Sequence, residues 1–202
     1  MTASTVRIVD QPDQAATMLN PLRLRLLSEL AQPDSATGLS RRIGLPRQQL
    51  NYHLRQLEAQ GLLEVVGERK RRNCTERMLQ SVAPSYLIGP GALGPVGADP
   101  ARVPDRVSSD FLVALAGRVI GEVGTLRARA DRAGKKLATL SLETEVRFAT
   151  QEDQRAFGHE LGQAVARLVA KYHDDSAPNG RRFRVMAAAY PTPSAAAKRE
   201  EQ

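Results

Sequence analysis

Residues 46–73, PRQQLNYHLRQLEAQGLLEVVGERKRRN, constrain this chain more than any other stretch. Pro46 suits the first turn of a helix, where a missing N–H costs nothing. Leu50, Leu54 and Leu57 recur at helical spacing, and Gly61 suits a left-handed C-cap. The spacing predicts a helix over 46–60 with one leucine face buried. Its opposite face carries Arg47, Gln48, Gln49, Asn51, Tyr52 and Arg55. Such side chains meet base edges and phosphates, unlike the Glu/Lys filling of an ordinary solvated helix. Residues 62–67 then read as a strand, the cations Arg69, Lys70, Arg71 and Arg72 as a hairpin loop, and 74–82 as the returning strand.

The preceding residues set up that helix. Asn20-Pro21 is a helix start, with Asn as N-cap and Pro at the first helical position. Leu22, Leu26, Leu27 and Leu30 make an apolar stripe that ends before Pro33. Asp34 or Ser35 can cap a short helix burying Leu39 and Ile43, and Gly44-Leu45-Pro46 is a tight turn into 46–60. A shorter apolar segment at 15–19 is expected to pack as a preceding helix. Two short helices joined by a glycine-containing turn, the second with an exposed polar face, form a helix-turn-helix arrangement. The strand, basic loop and return strand add a wing.

Charge supports this placement without naming a partner. The net charge is +7 with a pI near 10.1. Residues 1–85 hold 12 Lys and Arg against 8 Asp and Glu, and 86–202 hold 17 against 14. Neither half is strongly basic, so the positive charge is local, at Arg41, Arg42, Arg47, Arg55 and 69–72. A local patch suits a groove-and-phosphate footprint better than general coating of a polyanion. The single cysteine, Cys74, excludes an internal disulfide and an all-cysteine metal site, and reads as a small strand residue. No run of about 18 uncharged apolar residues exists, nor an apolar leader, so a soluble cytoplasmic protein with no membrane contact is expected.

Residues 84–105 are dense in Gly and Pro and place a linker at 86–105. Ser108 or Ser109 opens a long helix to about 134, with Phe111, Leu115, Val119, Val123 and Leu126 on its apolar stripe. Gly117, Gly121 and Gly124 interrupt it, at spacing that permits close approach by another helix. From 137 the period becomes two, with Leu140, Leu142, Val146 and Phe148 alternating with Ser141, Glu143, Glu145 and Arg147. A strand over 137–148 follows. Thr150 and Asp153 open a helix to about 173, and 183–190 reads as a final strand. Two strands make a poor sheet alone. Either a second subunit's strands pair with them, or the long helix covers one face.

Residues 20–27 (NPLRLRLL), 39–45 (LSRRIGL) and 50–62 (LNYHLRQLEAQGL) resemble the ArsR-type winged-helix repressors, over roughly residues 12–83. The resemblance implies a dimeric regulator of transcription. It puts Arg47, Gln48, Asn51 and Tyr52 at the base-reading face and Arg55 and the wing along phosphates. It also implies that His53 packs or orients the helix. Metal-sensing members carry a Cys-x-Cys-type pair before the turn or an Asp/His set on the terminal helix. Here Ser40-Arg41-Arg42 stands in the first place and no such set is evident, so no metal and no cofactor are expected.

The fold expected is α+β: a winged helix-turn-helix domain over 1–85, the 86–105 linker, a helix-strand-helix-strand domain over 106–191, and a disordered tail over 192–202. The partner expected is double-stranded DNA, read by Arg47, Gln48, Gln49, Asn51 and Tyr52. Arg41, Arg42, Arg55, Arg69, Lys70, Arg71 and Arg72 would contact the backbone, and the 108–134 stripe would form a homodimer. A small-molecule effector of unnamed chemistry is left to the C-terminal domain. Other polar groupings have plainer readings. Glu143 and Glu145 stand ~6.6 Å apart on one strand face, where a solvated surface outweighs acid–base chemistry. His159-Glu160 reads as helix surface, and 172–175 (YHDD) as adjacent residues that do not converge on one ion. No nucleophile elbow, phosphate loop or dinucleotide fingerprint is present, so an enzyme is not expected. The alternative is a ligand-binding or catalytic C-terminal domain with the winged helix as a protein-interaction module.

Overall fold

The computed structural model describes residues 5–71 and 74–193. It forms two compact units, Met1–Leu137 and Ala138–Gln202. The first contains β1 (Val6–Val9), α1 (Pro12–Met18), α2 (Pro21–Glu29), α3 (Ala36–Ile43), α4 (Arg47–Ala59), β2 (Leu63–Arg71), β3 (Cys74–Ser81) and β4 (Ser85–Ile88). Two 3-10 segments, Pro90–Val96 and Pro100–Arg102, lead into α5 (Ser109–Arg132). The second unit holds α6 (Gln151–Tyr172).

Local sequence signals set the helix ends. Asn20 Oδ1 accepts from the N–H groups of Leu22 (3.1 Å) and Arg23 (3.2 Å), capping α2. Of the two expected caps of α3, Ser35 does the work: its Oγ accepts from Gly38 N–H at 3.1 Å. Gly44 ends α3 at φ 78°, and Ser40 Oγ donates to Leu45 O at 2.7 Å across the turn. Gly61, at φ 62°, closes α4 with paired bonds, Leu62 N–H to Leu57 O and Gly61 N–H to Glu58 O, both 2.9 Å. That pairing satisfies carbonyls that the helix end would otherwise leave orphaned.

Leu26 and Leu30, Leu39 from α3, Leu50 and Leu57 from α4, and Leu62 are wholly buried in one core that Val9, Met18 and Leu79 complete. Each leucine buried this way contributes about 1.5–3 kcal/mol. β2 and β3 pair antiparallel from Leu63↔Ser81 to Arg71↔Cys74, with a bulge between Val65 and Gly67. Arg69, Lys70 and Arg71 of the basic run expected in a loop therefore lie in the strand, and Arg72 falls outside the described residues. β1 and β4 form a parallel pair, Val6↔Ser85 to Val9↔Ile88. Neither was expected, because four residues are too few to show a period.

The linker and domain boundary expected at 86–105 also shift. Residues 85–88 are strand, and α5 packs in the first unit, which extends to Leu137. Gly117 and Gly124 explain how α5 comes so close. A Cβ on Gly117 would lie 2.9 Å from the Pro90 side chain, and one on Gly124 would lie 3.1 Å from Ile8. These glycines admit β1 and the first 3-10 segment rather than another helix. Arg127 Nη2 donates to Val6 O at 2.9 Å, and Arg118 pairs with Asp99 at 3.3 Å.

In the second unit, Thr150 and Asp153 form the expected capping box on α6. The strands expected over 137–148 and 183–190 do not form: both segments run outside any ladder. A strand exists only through hydrogen bonds to a neighbour, and a single chain provides none here. No residue from 138 to 193 is buried. Phe148 meets Phe157 with ring centroids 5.3 Å apart. The α+β character thus resides in the first unit. Most of the expected tail, 194–202, lies outside the described residues.

Candidate nucleic-acid interface

Because Leu50, Leu54 and Leu57 hold α4 in the core, its other face must point outward. Arg47, Gln48, Asn51, Tyr52, Arg55 and Gln56 line one shallow, open depression there. Four of the five expected base-reading residues are therefore contiguous; Gln49 is exposed but outside that lining. Arg47 and Arg55 have no ion-pair partner among the described residues, so both guanidiniums remain available. Tyr52 is 59 % exposed although aromatic.

His53 faces the other way. Its Nδ1 accepts from Arg23 Nε at 3.3 Å, while Arg23 Nη1 donates to Thr17 O at 3.2 Å. Burial, and secondarily the Arg23 charge, lower the His53 pKa. A neutral imidazole that accepts a hydrogen bond ties α4 to α2, and its ring sets the edge of Tyr52, 5.2 Å away at 78°.

The wing is fastened at three points. Arg69 Nη2 pairs with Glu76 Oε2 at 2.9 Å across the hairpin, and Ser35 Oγ donates to the same oxygen at 2.9 Å. Glu76 is only 7 % exposed. The hydrogen bond from Arg69, then that from Ser35, push its pKa down to about 2. Asp34 and Leu79 exchange backbone hydrogen bonds at 3.0 and 2.8 Å, and Arg77 pairs with Glu58 of α4. β3 is thereby held to the start of α3 and to the end of α4. Tyr86 adds a link, bonded to Ser81 Oγ at 2.7 Å and donating to Leu62 O at 3.1 Å.

The expected phosphate contacts divide accordingly. Arg42 is engaged by Glu29 (2.9 Å) and Asp34 (3.0 Å), and Arg69 by Glu76. Arg41 donates to Thr37 O at 3.4 Å. Arg55 and Lys70 are exposed and have no ion-pair partner among the described residues. Arg71 ends β2, and Arg72 lies outside the described residues. The fasteners Arg23, Glu58, Glu76 and Arg77 were not singled out from sequence, and Ser35 only as a helix cap. One signal was available: counting back from a pairing of Arg71 with Cys74 sets Arg69 opposite Glu76.

On α5, Phe111, Leu115, Val119 and Val123 are half-buried and Leu126 is 46 % exposed, so the stripe is partly uncovered. Farther on, Glu143 and Glu145 are exposed, His159 bonds Gln163 at 2.8 Å, and His173 pairs with Asp175 at 3.1 Å. Among the described residues no group of three or more His, Cys, Asp or Glu could hold a metal ion, and no helix is long and apolar enough to cross a membrane.

Residues 18–66 match the family model of a helix-turn-helix domain. The match spans α2, α3, α4 and the start of β2. It supports a helix-turn-helix domain over those residues and points to DNA binding in transcription regulation. No curated protein matches the chain.

Proposed function

We propose that the chain is an ArsR-type repressor of transcription, acting in the cytoplasm as a homodimer on a pseudo-palindromic operator. It is not an enzyme and does not sense metal. The observation that carries this reading is the exposed α4 face, with Arg47 and Arg55 unpaired, beside a wing anchored through buried Glu76. Arg47, Gln48, Gln49, Asn51 and Tyr52 read base edges in the major groove. Arg55, Lys70 and the wing tip contact phosphates, with Arg41 and Arg42 at the margin. The α5 stripe Phe111, Leu115, Val119, Val123 and Leu126 contributes to the dimer, and the C-terminal unit is where a small-molecule effector would act.

Two-fold symmetry requires half-sites about one helical turn apart. A band shift and footprint on the region upstream of the chain's own gene test the reading. A salt-sensitive shift with two symmetric protected half-sites supports it. Absence of a shift at low salt, or protection of a single half-site, overturns it.

A further inference from the structure

The C-terminal unit carries large apolar side chains with nothing to cover them. Leu140 is 86 % exposed, Leu142 91 %, Phe183 67 % and Val185 70 %. α6 presents Leu161, Leu168 and Tyr172 in the same condition. Residues 137–148 have the period-two pattern of a half-buried strand but no ladder partner. Residues 183–190 lie outside any ladder as well. Two strands fall short of a stable sheet on their own; two copies supply four strands with two helices to cover them, which suffices.

Charge identifies the partner. Residues 139–147 carry Glu143, Glu145 and Arg147, a net negative segment, whereas 181–184 carry Arg181, Arg182 and Arg184. Antiparallel pairing of 138–148 with its own copy over its full length is centred on Glu143, so it would set Glu143 against its own copy and Arg147 against Thr139, and directly opposed like charges destabilise a sheet. Pairing 138–148 of one copy with the segment after Arg182 of the other brings acidic and basic residues together. Glu143 and Glu145 have no ion pair among the described residues, and Arg182 makes an exposed contact with Asp175 at 3.5 Å.

We propose that the C-terminal unit is a reciprocal dimerisation module, in which 138–148 of each copy pairs with 183–190 of the other under a cover of two α6 helices. The partner is a second copy of this chain. This rests on the dimeric reading above and assigns the element that makes the dimer.

The test uses two full-length charge variants, E143R/E145R and R181E/R182E, with self-association measured by sedimentation without DNA. Each variant alone faces like charges at both crossings. Its dimer dissociation constant should rise about tenfold or more, because directly opposed like charges at both crossings oppose pairing. Mixing the two should restore wild-type affinity as a heterodimer, because both crossings become complementary. Pairing within one chain cannot be repaired by mixing. If each variant alone dimerises like wild type, the C-terminal module is wrong and the homodimer stands on α5. If mixing restores nothing, the reciprocal pairing is wrong. If wild type itself is a monomer, both this module and the homodimeric reading fall.

Discussion

Leu50 of α4 has no solvent exposure, whereas Leu142 is 91 % exposed, yet each sits in a regular amphipathic pattern. The N-terminal unit converts its pattern into a core because helix period, caps and turn chemistry all act within one short stretch. Its contacts are reached by local helices joined through Gly44 and Gly61. The C-terminal unit carries an equally plain pattern, but strands are satisfied only by a neighbour, and one chain brings too few. An amphipathic sequence thus specifies a face, and whether that face is buried depends on what the same chain can place against it.

Core truncation probes this contrast most strongly. Leu50→Ala should destabilise the winged unit by about 2–5 kcal/mol in chemical denaturation, as expected when a buried leucine leaves a cavity. Leu142→Ala should leave that unfolding transition within about 0.5 kcal/mol of wild type and alter only self-association. Equal losses of stability in the two variants would erase the distinction between the units.

A second contrast separates cations that are free from cations already engaged. Arg47→Ala should lose about 1–3 kcal/mol of discrimination between the operator and a single-base variant, read by competition band shift. Lys70→Ala should weaken all sequences alike and reduce the salt slope by about 1. Arg69→Ala should act differently from both. It strips Glu76 of its guanidinium partner, so the wing loosens and the protein's own stability falls before any DNA is added. If Arg69 and Lys70 variants behave identically, the fastening described for the wing does not hold.

Caps offer a smaller comparison. Asn20→Ala should cost about 1 kcal/mol of winged-unit stability, because two N–H groups lose their acceptor at a helix packed in the core. Thr150→Ala removes a capping box from a helix with no buried residue. It should fray α6, read as lost helicity by circular dichroism, and leave the winged-unit transition in place.

These pairs also mark how far the sequence could be read. α2, α3, α4 and α6 were legible because Asn20, Ser35, Gly61 and Thr150 act on neighbours within four residues. The exposed polar face of α4 was legible because burying Leu50, Leu54 and Leu57 settles where Arg47, Asn51 and Tyr52 point. Three features depend on distant residues and were missed. β1 finds β4 about 80 residues away, Glu76 meets Ser35 from 41 residues away, and Gly124 accommodates Ile8 from the other end of the unit. The engagement of Arg42 and Arg69 was hidden for the same reason: composition counts cations, but only geometry shows which already have a carboxylate.

The mildest probe is acid, which should weaken the two internal fasteners in separate windows. Protonated His53 is disfavoured in the folded state, where burial and Arg23 lower its pKa below the ordinary 6.5. Its contribution is therefore full above that value and declines as pH falls through it, because the unfolded chain takes up the proton more readily. Glu76, at about 2 against an ordinary 4.5, works lower. Its ion pair with Arg69 contributes fully above about pH 4.5, and that contribution is lost as pH drops toward 2. Denaturation of the full chain between pH 3 and 8 should show a shallow loss near neutrality and a second below pH 4.5. His53→Gln should remove the first and spare the second, while Glu76→Gln does the reverse. If Glu76→Gln leaves the acid limb unchanged, another carboxylate governs it, and the wing does not depend on the contact with Ser35 and Arg69.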